Sequence, residues 1–207
     1  MSNNYTAIVD YGVGNLFSLR SSLMAVGADV IVTSSKSELK NAARIILPGV
    51  GAFEDAIGKL RESGLCYDIL SCVEDGKPLL GICLGMQMLF ENSYEYGCHN
   101  GLGLIPGDVV PLKDRIGATL KIPHIGWNKL VYNQNDSLFK YIDGDMYAYY
   151  VHSYYADTAD SYITSSSEYG ISVTGSVRNN KVFGTQFHPE KSGKNGLLLL
   201  KAFCEEQ

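Results

Sequence analysis

Gly81-Ile82-Cys83-Leu84-Gly85 constrains this chain more than any other segment. It lies between an apolar run, Pro78 to Ile82, that reads as a buried strand, and Leu84 to Phe90, whose composition favours a helix. A cysteine between two glycines at a strand-to-helix turn matches the nucleophile-elbow pattern G-x-S-x-G, with sulfur in place of oxygen. The turn is tight, and a Cβ at either flanking position would collide with neighbouring backbone. Cys83 would stand at a helix N-terminus, where the dipole favours an anion. The amide of Leu84 would point to the same place and could serve as an oxyanion donor. Taken alone, the pattern also fits a buried cysteine at a strand end whose glycines serve only packing.

The surrounding sequence supplies the frame that such an elbow needs. Thr6 to Val9, Ala28 to Val32 and Arg44 to Leu47 read as strands, and Leu16, Leu19, Leu23 and Val26 recur at helical spacing before Gly27. A further helix is expected after Gly51. In the second half, Met146–Val151, Tyr162–Ser166, Ile171–Arg178 and Val182–Phe187 are β-rich, and Gly193 to Glu205 reads as a closing helix. Strands alternating with helices predict an α/β fold whose central sheet is mixed, largely parallel and flanked by helices. One domain over residues 1–207 accommodates all of it.

Charge and cysteine content narrow the function. A net charge of −5, with no block of like charges, argues against nucleic acid as a partner. The polar start Met1-Ser2-Asn3-Asn4 lacks the marks of a signal peptide, and Pro78 to Phe90 is too short to span a bilayer. Five cysteines without a C-x-x-C spacing point to reduced thiols, so a cytoplasmic location with no membrane partner is expected. Cys98-His99 has no partner pair at ligand spacing, so neither a metal nor a cofactor is expected. Gly12-x-Gly14 lacks the third glycine of a dinucleotide fingerprint, since that position is Phe17.

His188-Pro189-Glu190 follows the strand Val182–Phe187. Proline pushes His188 into an extended conformation, where residues two apart face one side. Glu190 could then fix the imidazole tautomer while the other ring nitrogen serves a thiol. In an open α/β sheet both Cys83 and His188 would lie at the carboxyl ends of strands, where active crevices form.

Gly81-Ile82-Cys83-Leu84-Gly85-Met86-Gln87 and Gln186-Phe187-His188-Pro189-Glu190 together resemble the signature pair of class I glutamine amidotransferases. Pro48-Gly49-Val50-Gly51 resembles that family's oxyanion loop, so the likeness runs over essentially the whole chain. The resemblance implies Cys83 as nucleophile, His188 as general base and acid, and Glu190 as its orienter. It implies oxyanion donors from the backbone of Val50, Gly51 and Leu84. It implies that Gln87, with His152, Ser153 and Tyr154, binds the substrate glutamine. Two glycines flanking Val50 are also expected to leave its peptide free to rotate.

Asp10-Tyr11-Gly12-Val13-Gly14-Asn15-Leu16 and Pro123-His124-Ile125-Gly126-Trp127-Asn128 resemble one branch of the family, the glutaminase subunits of imidazole glycerol phosphate synthases. That likeness implies a heterodimer with a (β/α)8-barrel cyclase subunit, which receives the ammonia and makes imidazole glycerol phosphate and an aminoimidazole carboxamide ribotide. It places Asn15 and Trp127 against that partner. Trp127, the sole tryptophan, is expected on a Pro- and Gly-rich loop, where a lone aromatic reads either as a docking anchor or as a core residue.

Overall fold

A computed structural model describes residues 4–117 and 119–207. The sequence alternates as expected in its first half. Strands β1 (Thr6–Val9), β2 (Val30–Thr33), β3 (Arg44–Gly49) and β4 (Leu79–Cys83) are separated by helices α1 (Leu16–Ala25), α2 (Lys36–Asn41), α3 (Phe53–Glu62) and α4 (Leu65–Glu74). The short helix α5 (Leu84–Gln87) follows β4 directly. Then come β5 (Asn92–Ser93), β6 (His99–Asn100), β7 (Asp108–Pro111), β8 (His124–Tyr132), β9 (Met146–His152), β10 (Tyr154–Asp157), β11 (Ile163–Glu168), β12 (Ser172–Asn179), β13 (Val182–Thr185) and α6 (Gly193–Phe203).

Among the described residues, nine strands form the main sheet in the order β2-β1-β3-β4-β13-β12-β11-β8-β9. From β2 to β13 the pairings are parallel, and from β13 to β9 they are antiparallel. Alternate residues of the parallel strands feed two cores. Ala7, Val9, Ile45 and Leu47 pack with Leu39, Phe53, Leu60 and Ile69 under α2, α3 and α4. Ile8, Ile46, Leu80 and Phe183 pack with Leu19, Leu23, Leu199 and Phe203 under α1 and α6. Burial on both faces explains why these strands read as continuous apolar runs.

The antiparallel half curls back on the parallel half. The segment after β13 hydrogen-bonds β9, with His188 N donating to Tyr149 O at 3.0 Å and Tyr149 N to Ser192 Oγ at 3.0 Å. A second sheet, β10-β7-β5-β6, continues from it.

Three expectations are corrected. The helix expected to Phe90 stops at Gln87, because the carbonyls of Met88, Leu89 and Phe90 are taken by the amides of Leu102, Leu104 and Gly103. Helical carbonyls would instead be used four residues on. The segment around Trp127 is no loop but the nine-residue strand β8, paired with β9 from His124↔His152 to Leu130↔Met146. Gly126 and Pro123 masked its period-two pattern. The second sheet had not been anticipated at all, since its strands are as short as two residues. The other boundaries moved by one or two residues, as helix and strand ends do.

Candidate active site

The elbow is built by backbone crowding. Cys83 has φ 55° and ψ −111°, a left-handed conformation that costs a non-glycine residue roughly 1–3 kcal/mol and persists only where its surroundings enforce it. The flanking glycines supply that enforcement. A Cβ on Gly85 would stand 1.9 Å from Leu47 O, and one on Gly81 2.6 Å from Gly85 O. Gly49 pairs with Cys83 across β3 and β4, and its Cβ would meet Gly85 N at 2.7 Å. Gly49 is therefore a packing glycine rather than a hinge, which revises half of the expectation for Val50. Gly51 has φ 96° and open space around it.

His188 follows β13, the neighbour of β4, and so arrives at the same sheet edge as Cys83. Its Nδ1 lies 2.9 Å from Glu190 Oε1, and both side chains are 3% exposed. Glu190 gets there by a different route from the one expected. His188 is extended, but Pro189–Lys191 forms a 3₁₀ turn that folds the carboxylate back. Lys191 N and Ser192 Oγ both donate to His188 O and close that turn. Burial is the largest influence on His188 and pulls its pKa down. Hydrogen bonding and charge from Cys83 and Glu190 together outweigh it, and the pKa is raised to about 9. The ring nitrogen Nε2 is buried with no settled hydrogen-bond partner, leaving it for the sulfur and whatever the sulfur attacks. With α5 a single turn, the helix dipole has little to add, and the imidazolium is the main positive charge at the sulfur.

A cavity of about 280 Å³ opens beside Cys83, small enough to suit one amino acid. Val50, Gly51, Leu84, Gln87, His152, Ser153, Tyr154 and His188 all line it, so ten of the twelve expected site residues converge, counting Cys83 and the Glu190 behind His188. Gln87 Nε2 donates to Tyr154 O and to Gln186 Oε1, each at 3.0 Å, so both amide hydrogens are committed and Oε1 is left to accept. His152 Nδ1 lies 2.9 Å from Tyr154 O, and its Nε2 lies 3.0 Å from His124 Nδ1. Burial drives both imidazoles toward the neutral form, His124 to about 4 and His152 to about 3.

Asn15 and Trp127 lie outside the cavity. Asn15 caps α1 by accepting from Ser18 N at 3.3 Å, and it lines a narrow crevice behind Val50 and Glu190. Trp127 is 57% exposed on β8, edge-on to Tyr149. It is therefore no core residue. Ile125, two residues before it on the same strand, is exposed as well, as are Val50 and Phe17 elsewhere on the surface. The Asp10-Tyr11-Gly12 segment has a structural job: Tyr11 Oη donates to Pro48 O at 2.7 Å and steadies the loop that leads to Val50.

Glu95, in the loop between β5 and β6, was not anticipated. Its Oε2 accepts from Phe53 N at 2.6 Å, and the residue lines the cavity. A signal did exist. The cap position of α3 is Ala52, which offers no side-chain acceptor, so an acceptor had to come from elsewhere in the fold.

This geometry can support acyl transfer to sulfur. The comparisons agree with that chemistry. The family model for glutamine amidotransferase class-I matches residues 7–206. Imidazole glycerol phosphate synthase subunit HisH of Bacillus cereus (strain B4264) is 48% identical over 197 residues, covering 95% of this chain and 92% of that protein. HisH of Bacillus licheniformis is 48% identical over 207 residues, covering 97% of each. Among solved structures, PurLQS from Thermotoga maritima superposes with a TM-score of 0.74 at 19% identity, covering 96% of both chains, which supports the fold. The chain belongs to the class-I glutamine amidotransferase family and, within it, to the HisH branch of imidazole glycerol phosphate synthase subunits.

Proposed function

We propose that this glutaminase works through Cys83, His188 and Glu190, with Cys83 Sγ attacking the side-chain amide carbon of glutamine. The observation that carries the reading is the buried Glu190–His188 pair beside a cysteine on a strained elbow that lines the cavity. The amides of Leu84 and of the Val50–Gly51 segment take the charge that develops on the amide oxygen. His188, protonated at neutral pH, gives its proton to the departing ammonia, which leaves a γ-glutamyl thioester. Water then attacks the thioester, His188 takes up the proton, and glutamate is released. Glu190 holds the ring throughout and stabilises its charge.

The cavity wall also suits the other end of glutamine. Gln87 Oε1 and the Glu95 carboxylate are acceptors, fit for ammonium or amide hydrogens, and the segment His152-Ser153-Tyr154, hydrogen-bonded to Gln87 through Tyr154 O, completes the wall. We read residues 1–207 as one catalytic unit, acting in the cytoplasm, where its five free cysteines would stay reduced. Among the described residues no helix is long and apolar enough to cross a membrane. Its partner is a (β/α)8-barrel cyclase subunit in a heterodimer, which receives the ammonia and makes imidazole glycerol phosphate and the carboxamide ribotide. The exposed Trp127 and Ile125, with Asn15 nearby in chain order to exposed Phe17, support a docking face beside the cavity mouth.

Glutamine turnover by the chain alone, with the cyclase, and with the cyclase plus its ribotide ligand tests this reading. The rotatable Val50–Gly51 peptide leads us to expect the three rates to rise in that order, by ~10²–10³ in all, the effect of one oxyanion donor. Equal rates would mean that the hole is permanently formed. Cys83→Ala is expected to lose at least about 10⁴-fold in every arm while still binding the cyclase. Turnover near wild type in that variant would end the nucleophile assignment.

A further inference from the structure

We infer that Gln186 is a positioning residue for the nucleophile, its buried side-chain amide held with an N–H toward Cys83 Sγ by a chain of hydrogen bonds that starts at one backbone carbonyl. The inference rests on Cys83 being the nucleophile. Gln186 is 0% exposed, and its Nε2 lies 3.8 Å from Cys83 Sγ. Such an amide could in principle face the sulfur with either its oxygen or its nitrogen. Here the surroundings leave no choice.

Tyr154 O, a backbone carbonyl, can only accept. Gln87 lies against it at 3.0 Å and must present Nε2, since the flipped amide would set two oxygens face to face. The second hydrogen of Gln87 Nε2 then points to Gln186, which must answer with Oε1 at 3.0 Å, since the flipped amide would oppose two NH₂ groups. Only Nε2 of Gln186 is left for the sulfur. The histidine pair secures the starting point. Tyr154 O also faces His152 Nδ1, so that nitrogen carries the proton. The ring is neutral, so Nε2 is bare and accepts from His124 Nδ1–H. His124 is itself clamped between the rings of Tyr150 and Tyr169, at 4.9 and 3.9 Å between centroids.

The sulfur thus has a partner in each protonation state. As a thiol it can donate to Val151 O, 4.0 Å away, and as a thiolate it can accept from Gln186. The two directions differ. A thiolate turned toward the amide is fixed at the base of the cavity, where its lone pairs meet an incoming carbon. His188 interacts with the sulfur and is backed by Glu190, and His152 and Glu95 are the other titratable groups among His, Asp and Glu that line the same cavity.

Gln186→Met keeps length and bulk but removes the donor, and Gln186→Glu places acceptors in its stead. Alkylation of the intact chain by iodoacetamide is followed from pH 5 to 9, with thermal melts run alongside. The expected result is a rate at neutral pH that falls about ten-fold in Gln186→Met, the scale of one hydrogen bond to a charged group, and further in Gln186→Glu. The rising limb of the pH profile is also expected to move to higher pH. A residue that only filled space would lower the melting temperature and leave that profile in place. Profiles superimposable on wild type would overturn the inference.

A second measurement needs no change at Gln186. The ¹⁵N and ¹H signals of its side-chain amide are expected to titrate with pH in step with wild-type alkylation, and to lose that titration in Cys83→Ala. An amide that titrates identically in both proteins would likewise overturn it. Loss of turnover in Cys83→Ala is a separate result, so failure of the nucleophile assignment and failure of the Gln186 role are distinguishable.

Discussion

The two halves of the main sheet meet at one cavity but are made differently. On the parallel side, β3, β4 and β13 are buried throughout, and they deliver Cys83, His188 and the Val50–Gly51 segment at their carboxyl ends. On the antiparallel side, β8 and β9 alternate between buried and open positions. They deliver the carbonyl of Val151, a neutral histidine pair and a surface bearing Trp127. The parallel half fixes reacting atoms by crowding, as at Gly81 and Gly85, where one added carbon has nowhere to go. The antiparallel half fixes the cavity wall by hydrogen bonds while alternate residues of β8 stay exposed. Under the proposed docking at Trp127, chemistry and docking are expected to be separable, each damaged without the other.

Several substitutions can break or sharpen that contrast. The largest effect is expected at the parallel edge: His188→Ala is expected to lower kcat by about 10³–10⁴, and Glu190→Gln by less, because a neutral amide can still orient the ring. Steady-state kinetics give the order directly. If Glu190→Gln proves as damaging as His188→Ala, its carboxylate charge rather than its geometry is the essential property.

Gly85→Ala attacks the crowding itself. Its Cβ would sit 1.9 Å from Leu47 O, a backbone atom that cannot step aside, so destabilisation at or above the usual overpacking range of about 1–3 kcal/mol is expected. Gly58→Ala is the control. It lies mid-helix in α3 with open space about it, and there alanine is expected to stabilise by about 0.5–1 kcal/mol. Denaturant unfolding measures both, and equal effects would dismiss the idea that the elbow is held by backbone contact.

Trp127→Ala tests the antiparallel side. With Trp127 57% exposed, the isolated chain is expected to keep its melting temperature, while affinity for the cyclase falls by about 2 kcal/mol. Calorimetric titration showing full affinity would move the docking face elsewhere.

A last test is pH. His124 and His152 stay neutral when folded, to about 4 and about 3, whereas an unfolded histidine takes its proton near ~6.5. Between those values the unfolded chain binds protons that the folded chain refuses, so their contribution is present above ~6.5 and is lost as pH falls toward 4. His188 runs the opposite way: its folded pKa of about 9 lies above the unfolded value, so its contribution is complete below ~6.5 and fades as pH rises through 9. Unfolding midpoints across pH 4 to 10 are expected to fall at both ends. In His124→Phe, which keeps an aromatic between Tyr150 and Tyr169, the acid limb is expected to flatten.

The same division decided what could be read in advance. The elbow and His188-Pro189-Glu190 are local patterns, in which the residues that explain one another lie within a few positions, and the parallel strands announced themselves as apolar runs. What escaped was held together through space. Gln186 meets Gln87 from 99 positions away, Glu95 caps a helix 42 positions back, and His124 finds its partner only when β8 pairs with β9. Strand β8 was hidden for a physical reason: Gly126 and Pro123 are turn residues by composition, and only pairing along all of β9 makes that segment regular.

The pairing of Gly49 with Cys83 has a last consequence. Cys83, the proposed nucleophile, and Gly49, which leads into the proposed oxyanion segment, are partners on adjacent parallel strands, so their separation is inherited from the ~4.8 Å interstrand repeat of any sheet. No side chain has to encode that distance. A lineage that preserves the ladder can vary the rest of the cavity, and hence the partner it feeds, with the spacing of its reacting atoms already written into the backbone.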